Sequence, residues 1–199
     1  MSIHGTMSSF IANDGSDKTS TLMRDLLMGN VPCYELPAHK QNIKGKASGI
    51  LVGGNLCTFV ANLHSQADAT KGRNLILFIE EVGEYMRNID RQMRILQMNG
   101  VFDRCKGIIL GYFVNCGTEF TYENVEAMLH EILAEYKIPM VCGFPGGHGN
   151  VNLPLVMGAP ISIDVREDGA TIKFEIGGTQ CMIRTADITT IPTNAATHV

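Results

Sequence analysis

Residues 74–91, NLILFIEEVGEYMRNIDR, contain the sharpest change of hydrophobic period in the chain. Leu75 to Ile79 is a continuous apolar run, the pattern of a strand buried on both faces. The run ends in two adjacent carboxylates, Glu80 and Glu81, and Gly83 interrupts it. Tyr85, Ile89, Met93 and Leu96 then recur at spacings of four, four and three, which predicts a helix ending near Gly100. A strand that carries an acid to its carboxyl end, just before a helix, sets that acid at the rim of an α/β sheet, where ligands bind.

The flanking patterns extend this picture. Residues 1–18 are polar and show no period, while Thr19 to Met28 carries Leu22, Met23, Leu26 and Leu27 as a short amphipathic helix stopped by Gly29 and Asn30. Residues 31–48 read as extended, with Lys40, Lys44 and Lys46 on a solvated face. Ser48 to Val52 predicts a strand entering Gly53-Gly54-Asn55, followed by a helix with Leu56, Phe59, Val60 and Leu63 on one side. Such a turn can hold an anion on free N–H groups. It is also how any tight strand-to-helix turn is built, and the structural reading is preferred. Lys106 to Phe113 is a further apolar strand. Thr121 is the expected cap of a helix over 122–136, with Val125, Met128, Leu129, Ile132 and Leu133 as its core stripe. Met140 to Cys142 begins a short strand leading into the loop GFPGGHGN, Gly143 to Asn150. Residues 161–176 alternate about Glu167-Asp168-Gly169, the pattern of a β-hairpin. The chain from Gly177 is expected to fray after Asp187. Strands alternating with helices predict a mixed α/β fold, with a largely parallel sheet, helical crossovers and an added antiparallel hairpin.

Composition narrows the function classes. The chain has 199 residues and a formal net charge of -4, without the clustered Lys and Arg of a nucleic-acid footprint. The run from Leu75 to Ile79 is too short to span a bilayer. The segment after Met1, SIHGTMSSF, lacks the basic and apolar regions of a leader. Cysteines at 33, 57, 105, 116, 142 and 181 form no C-x-x-C pair and read as reduced thiols of a cytoplasmic protein. Cys142, near His148 in sequence, is a minor candidate nucleophile.

The candidate chemistry rests on Glu80 and His148. A histidine among four glycines sits on backbone free to turn sharply, with its imidazole accessible. A carboxylate at a strand end can accept the imidazole Nδ1–H, fix the tautomer and stabilise the imidazolium while the other nitrogen takes a proton. Alternation along the strand points Glu81 away from Glu80, as a structural or rim residue. No His or Cys has metal-ligand spacing to His148, so a metal is not expected. The stripe from Val125 to Leu133 reads as core and not as a cofactor box, and no cofactor is expected. His4, His39, His64, His130 and His198 read as surface or structural residues.

Four segments taken together, LVGGNL (51–56), LFIEEVGE (77–84), IDRQMRILQMNGVFDRCKGIILGYF (89–113) and GFPGGHGNVNLPLVMGAPISID (143–164), resemble the C-terminal domain of the LD-carboxypeptidase family of serine peptidases. That family includes the microcin-immunity peptidases. The IHG near Met1 is similar to the segment that closes the family's first domain. The resemblance implies three parts: 1–44 as the end of an N-terminal nucleophile domain with a linker, 45–176 as the C-terminal domain, and 177–199 as a tail.

It also implies a Ser-Glu-His triad whose acid is Glu80 and whose base is His148. The implied substrate is a cytoplasmic muropeptide that loses its terminal D-amino acid in murein recycling, and homodimerisation is common in the family. The nucleophile serine of the family lies in an N-terminal domain with no counterpart here: no G-x-S-x-G-like elbow occurs, and Ser8, Ser9 and Ser48 lack the context. The partner expected is therefore a nucleophile domain, and the chain alone is expected to be inactive. The alternatives are a microcin-type immunity peptidase, against which the absence of Trp weighs, and a non-catalytic muropeptide-binding or dimerisation module.

Overall fold

The computed structural model describes residues 1–7, 15–72, 74–117 and 124–189. In chain order the elements are β1 (Ser2–His4), α1 (Lys18–Leu27), β2 (Asn30–Pro37), β3 (Gly45–Asn55), α2 (Leu56–Ala61), β4 (Leu75–Val82), α3 (Met86–Met98), α4 (Val101–Arg104), β5 (Cys105–Val114), α5 (Val125–Ala134), β6 (Met140–Val141), β7 (Leu155–Met157), β8 (Pro160–Val165), β9 (Gly169–Phe174), β10 (Thr179–Arg184) and α6 (Ala186–Thr189). Eight strands form one sheet in the order β10-β2-β9-β8-β3-β4-β5-β6, and β1 pairs separately with β7. Pairing is parallel from β3 through β4 and β5 to β6 and again between β10 and β2, and antiparallel from β2 through β9 and β8 to β3. This is the expected mixed α/β architecture, with the 161–176 hairpin realised as β8–β9.

Strand β4 lies inside the sheet and is buried on both faces, as its unbroken apolar run requires. Leu75, Leu77 and Ile79 face a core shared with Met86, Ile89, Met93 and Leu96 of α3 and the Val125–Leu133 stripe of α5. Ile76 and Phe78 face the opposite core, which is filled by α1, Tyr34, Phe144 and the apolar residues of 153–163. Burial of one side chain the size of Phe78 contributes about 1.5–3 kcal/mol.

Several expectations are corrected. Tyr85 is not part of the α3 stripe: it is the extended N-cap residue, 47% exposed, with the Arg87 guanidinium 4.3 Å from its ring centroid. The stripe begins instead at Met86. Helix α5 starts at Val125 with Asn124 as its cap, accepting from Ala127 N at 2.8 Å, while Thr121 lies outside the described residues. After Gly177 the chain forms β10, which pairs in parallel with β2, and Thr185 N donates to Glu35 O. The fraying expected after Asp187 falls mostly on residues 190–199, outside the described residues. Residues 1–18 contain β1, too short to register as a period. Gly53 and Gly54, expected in a tight strand-to-helix turn, lie within β3 itself. A Cβ on Gly53 would stand 1.9 Å from Phe78 O, so close strand approach accounts for that glycine.

Among the described residues no helix is long and apolar enough to cross a membrane. All six cysteines are free; Cys33, Cys105 and Cys142 are buried and Cys57 is exposed. Burial pushes the Cys105 and Cys142 thiols up to about 12, so at pH 8 only about one in ten thousand is the reactive thiolate. Iodoacetamide at pH 8 is therefore expected to modify Cys57 first. Cys105 and Cys142 should react only after denaturant is added, as peptide mass mapping over a time course will show.

Candidate active site

Glu80 is the penultimate acid of β4, and its strand neighbours set its direction. Ile79 pairs with Leu110 and Glu81 with Phe113, so two residues of β5, Gly111 and Tyr112, stand opposite Glu80. This bulge sits at the rim where the side chain turns towards the loop, a common place for such an irregularity. Glu80 lies on the Phe78 face of the sheet and Glu81 on the other.

Glu81 is buried and fully engaged. Its carboxylate accepts from Cys57 N at 2.8 Å, from Val82 N at 2.9 Å and from Asn55 Nδ2. Two of these donors belong to the start of α2, where a negative charge is favoured by the free N–H groups. Glu81 thus ties β4 to α2, in keeping with the structural reading.

The histidine loop is pinned to the end of β5. Phe144 N donates to Leu110 O at 3.0 Å, Tyr112 N to Gly146 O at 2.8 Å, and Leu153 N to Pro145 O at 2.8 Å. Phe144 anchors the loop from beneath, edge-on to Tyr34 and Phe78. Gly147 N donates to Asn152 Oδ1 at 3.0 Å. Gly147 has φ +111°, and a Cβ there would stand 2.5 Å from Glu80 Oε2, so only glycine admits the carboxylate at this point.

His148 and Glu80 meet: Nδ1 is 2.8 Å from Oε2. A carboxylate oxygen accepts, so Nδ1 carries the hydrogen and Nε2 is left to act as acceptor. The two partners differ in solvation, since the His148 side chain is 43% exposed and that of Glu80 only 1%. The imidazole is accessible as expected, while the acid at the strand end is closed off from solvent. Glu80 Oε1 is buried without a hydrogen-bond partner among the described residues.

The pair opens on a cavity of about 430 Å³, whose walls include His4, Thr6, Asn55, Glu80, His148 and Asn152. This is within the usual range for a small-molecule site. Among the described residues no serine lines it; Ser8 and Ser9 lie outside them. Ser48 lies elsewhere, in an open hollow with Lys46, Asp164 and Lys173 where Lys46 pairs with Asp164 at 2.9 Å. Of the lysines expected on a solvated face, Lys46 lines that hollow.

The sequence reading missed His4. It stands in the cavity wall, its ring edge-on to Phe78 at 4.9 Å between centroids, and its Nδ1 is buried without a partner. Burial, and secondarily the nearby His148, hold its pKa below the usual histidine value. The other described histidines make structural bonds: His39 Nδ1 accepts from Gln41 N, His64 Nε2 meets Asn99 Oδ1, and His130 Nδ1 meets Gln41 O. His198 lies outside the described residues. Cys142 packs in the helix-side core with its thiol towards Gln41 O, which removes it as a nucleophile for His148. Among the described residues no three His, Cys, Asp or Glu side chains converge as a metal-ligand set.

Comparison with known proteins gives the family and the fold. Residues 48–163 match the LD-carboxypeptidase C-terminal domain. A putative carboxypeptidase of Synechocystis sp. is 33% identical over 178 residues, covering 87% of this chain and 56% of the relative. A probable murein peptide carboxypeptidase of Bacillus subtilis is 31% identical over 144 residues, covering 70% of this chain and 44% of the relative. The chain thus spans about half the length of these relatives. The crystal structure of muramoyltetrapeptide carboxypeptidase from Oxalobacter formigenes shares the fold, with a TM-score of 0.76 at 22% identity over 89% of this chain and 62% of that one. The chain belongs to the LD-carboxypeptidase family, with residues 48–163 corresponding to that family's C-terminal domain.

Proposed function

We propose that this chain supplies the acid and base of a Ser-Glu-His triad, in a serine-type carboxypeptidase that releases the terminal D-amino acid from cytoplasmic murein peptides. The observation that carries the reading is the 2.8 Å contact between His148 Nδ1 and buried Glu80 Oε2 at the wall of the cavity. The murein peptide carboxypeptidase among its relatives supports the substrate class. The resemblance assigns the nucleophile serine and the oxyanion donors to a separate N-terminal domain, proposed here as the functional partner of residues 45–176.

The chemistry follows from the pair. The serine hydroxyl attacks the amide carbon next to the terminal residue while His148 Nε2 takes its proton. The imidazolium that forms is stabilised by Glu80 through Nδ1–H. His148 then gives the proton to the leaving amine, and the D-amino acid departs. Water, deprotonated by the same nitrogen, hydrolyses the acyl-enzyme and restores the serine.

In a fusion of this chain to the N-terminal half of the Bacillus subtilis relative, D-alanine release from a muramoyl tetrapeptide is the assay. His148→Ala is expected to lower kcat by several orders of magnitude. Glu80→Gln should cost about 10⁴, the size of a comparable acid-to-amide change in a well-studied triad. The unfused chain should release none and should resist a fluorophosphonate probe. Stoichiometric labelling of the unfused chain, with release abolished by His148→Ala, would show that a serine within it serves as nucleophile. Cleavage of a peptidyl-nucleotide in preference to the muropeptide would favour the immunity-peptidase reading instead.

Gly147→Ala is a sharper test of the geometry, because its methyl group would occupy the path of Glu80 Oε2 and its backbone lies at φ +111°. Turnover by the fusion should fall nearly as far as in Glu80→Gln, with the substrate KM changed much less. Full turnover in Gly147→Ala would mean that the Glu80–His148 contact is not needed.

A further inference from the structure

Two buried polar atoms beside the cavity lack partners among the described residues, and they lie on the same side of the sheet. One is Glu80 Oε1 and the other is His4 Nδ1. His4 ends β1, where pairing with Leu155 of β7 fixes its backbone. Its ring lies edge-on over Phe78, which precedes Glu80 by two residues on the same face of β4. The imidazole also faces Gly54 of β3, with Cδ2 4.0 Å from where a Cβ would stand. Gly54 pairs with Ile79 and Asn55 with Glu80, so the ring is set beside the last turn of strand before the carboxylate.

Glu80 has a single bonded oxygen. Oε2 takes the His148 hydrogen, and Oε1 is sealed from solvent with no donor. A buried carboxylate in this condition is incompletely satisfied, and a second donor would fix the plane of the carboxyl group as well as its position. The neutral imidazole of His4 carries one N–H, and its buried Nδ1 has no partner among the described residues. The titratable groups that share the cavity wall with it are Glu80 on β4, His148 in the loop and Asp17 at the head of α1. Asp17 is occupied in capping α1 through Ser20 N. Glu81 points to the opposite face.

We propose that His4 is a positioning residue for the Glu80–His148 pair, its ring N–H supplying the second hydrogen bond to Glu80 Oε1 through a turn of the imidazole or one bridging water. The bond shares the carboxylate charge between two donors. It keeps Oε2 in line with His148 Nδ1, and it stops Glu80 from rotating away when the cavity fills. It also gives β1 a role: the strand brings a side chain from the start of the chain to the back of the acid. The inference rests on the acid–base reading of Glu80 and His148.

The test is nitrogen-15 NMR of the histidine rings in the intact 199-residue chain. His4→Phe keeps the ring and its packing on Phe78 but removes the donor. The charge of Glu80 then falls wholly on His148, whose titration midpoint should rise by up to about one unit. His4→Asn, which sets an amide N–H near the place of Nδ1, should restore the midpoint most of the way. Glu80→Gln separates the two levels of the argument, because it should lower the His148 midpoint. A lowered midpoint in Glu80→Gln with no change in His4→Phe would overturn the role of His4 and leave the pair intact. No change in Glu80→Gln would undo the pairing itself. A high-resolution crystal structure of the unaltered chain decides the matter if His4→Phe does not fold. It should show a His4 ring nitrogen bonded to Glu80 Oε1 or to a water on it, and separate partners for the two atoms would end the proposal.

Discussion

A carboxylate withdrawn from water at the end of a buried strand constrains everything near it. The side chain of Glu80 is 1% exposed, and desolvation of an ion of that size costs several kcal/mol after relaxation. The cost is tolerable only with donors close by, so the surroundings are shaped to bring one in. Gly147 lacks the Cβ that would crowd the carboxylate, Gly111 lacks one that would collide with Gly146 O and Phe78, and the bulge opposite Glu80 aims its side chain at the loop. The loop is itself pinned through Phe144, Gly146 and Leu153, so the imidazole arrives with little freedom left to lose.

Adjacent residues of one strand have been given different tasks by the period of the β-strand. Glu81, one position on, faces α2 and is consumed by three donors. Glu80 faces the cavity and keeps an oxygen without a donor. The pair of letters is the same, but one carboxylate fastens a helix to the sheet and the other holds a histidine. Solvation differs across the contact too: the acid is sealed and the base is open, so a proton can reach His148 while the charge that stabilises it stays in a low-dielectric setting.

Much of this was legible before the structure. The apolar run of β4, the α5 stripe and the hairpin at β8–β9 each carry a strong period, and the motifs around Glu80 and His148 pointed to their pairing. The misses have local causes. Tyr85 falls on the α3 period, yet it precedes the first helical turn, so its side chain never joins the face. The strand β1 is three residues long, and no period exists at that length. β10 is held by hydrogen bonds to β2, a long-range pairing that its own composition does not announce. The IHG around His4 was legible as a family-like segment, but its place beside Glu80 was not, since Phe78 and Glu80 lie more than seventy positions away.

In the proposed enzyme, His148 and Glu80 come from this chain, whereas the nucleophile would come from another domain. That division has a consequence for catalysis. The tautomer of His148 is fixed by Glu80 whether or not a serine is present, because the bond uses only β4 and the pinned loop. Assembly with a nucleophile domain then has to solve a single geometric problem, the approach of a hydroxyl to Nε2. It need not reorganise the acid–base pair at the same time. Preorganisation of this kind is worth most where water is excluded. The exposed side of His148 is the surface on which a covering domain would complete that exclusion.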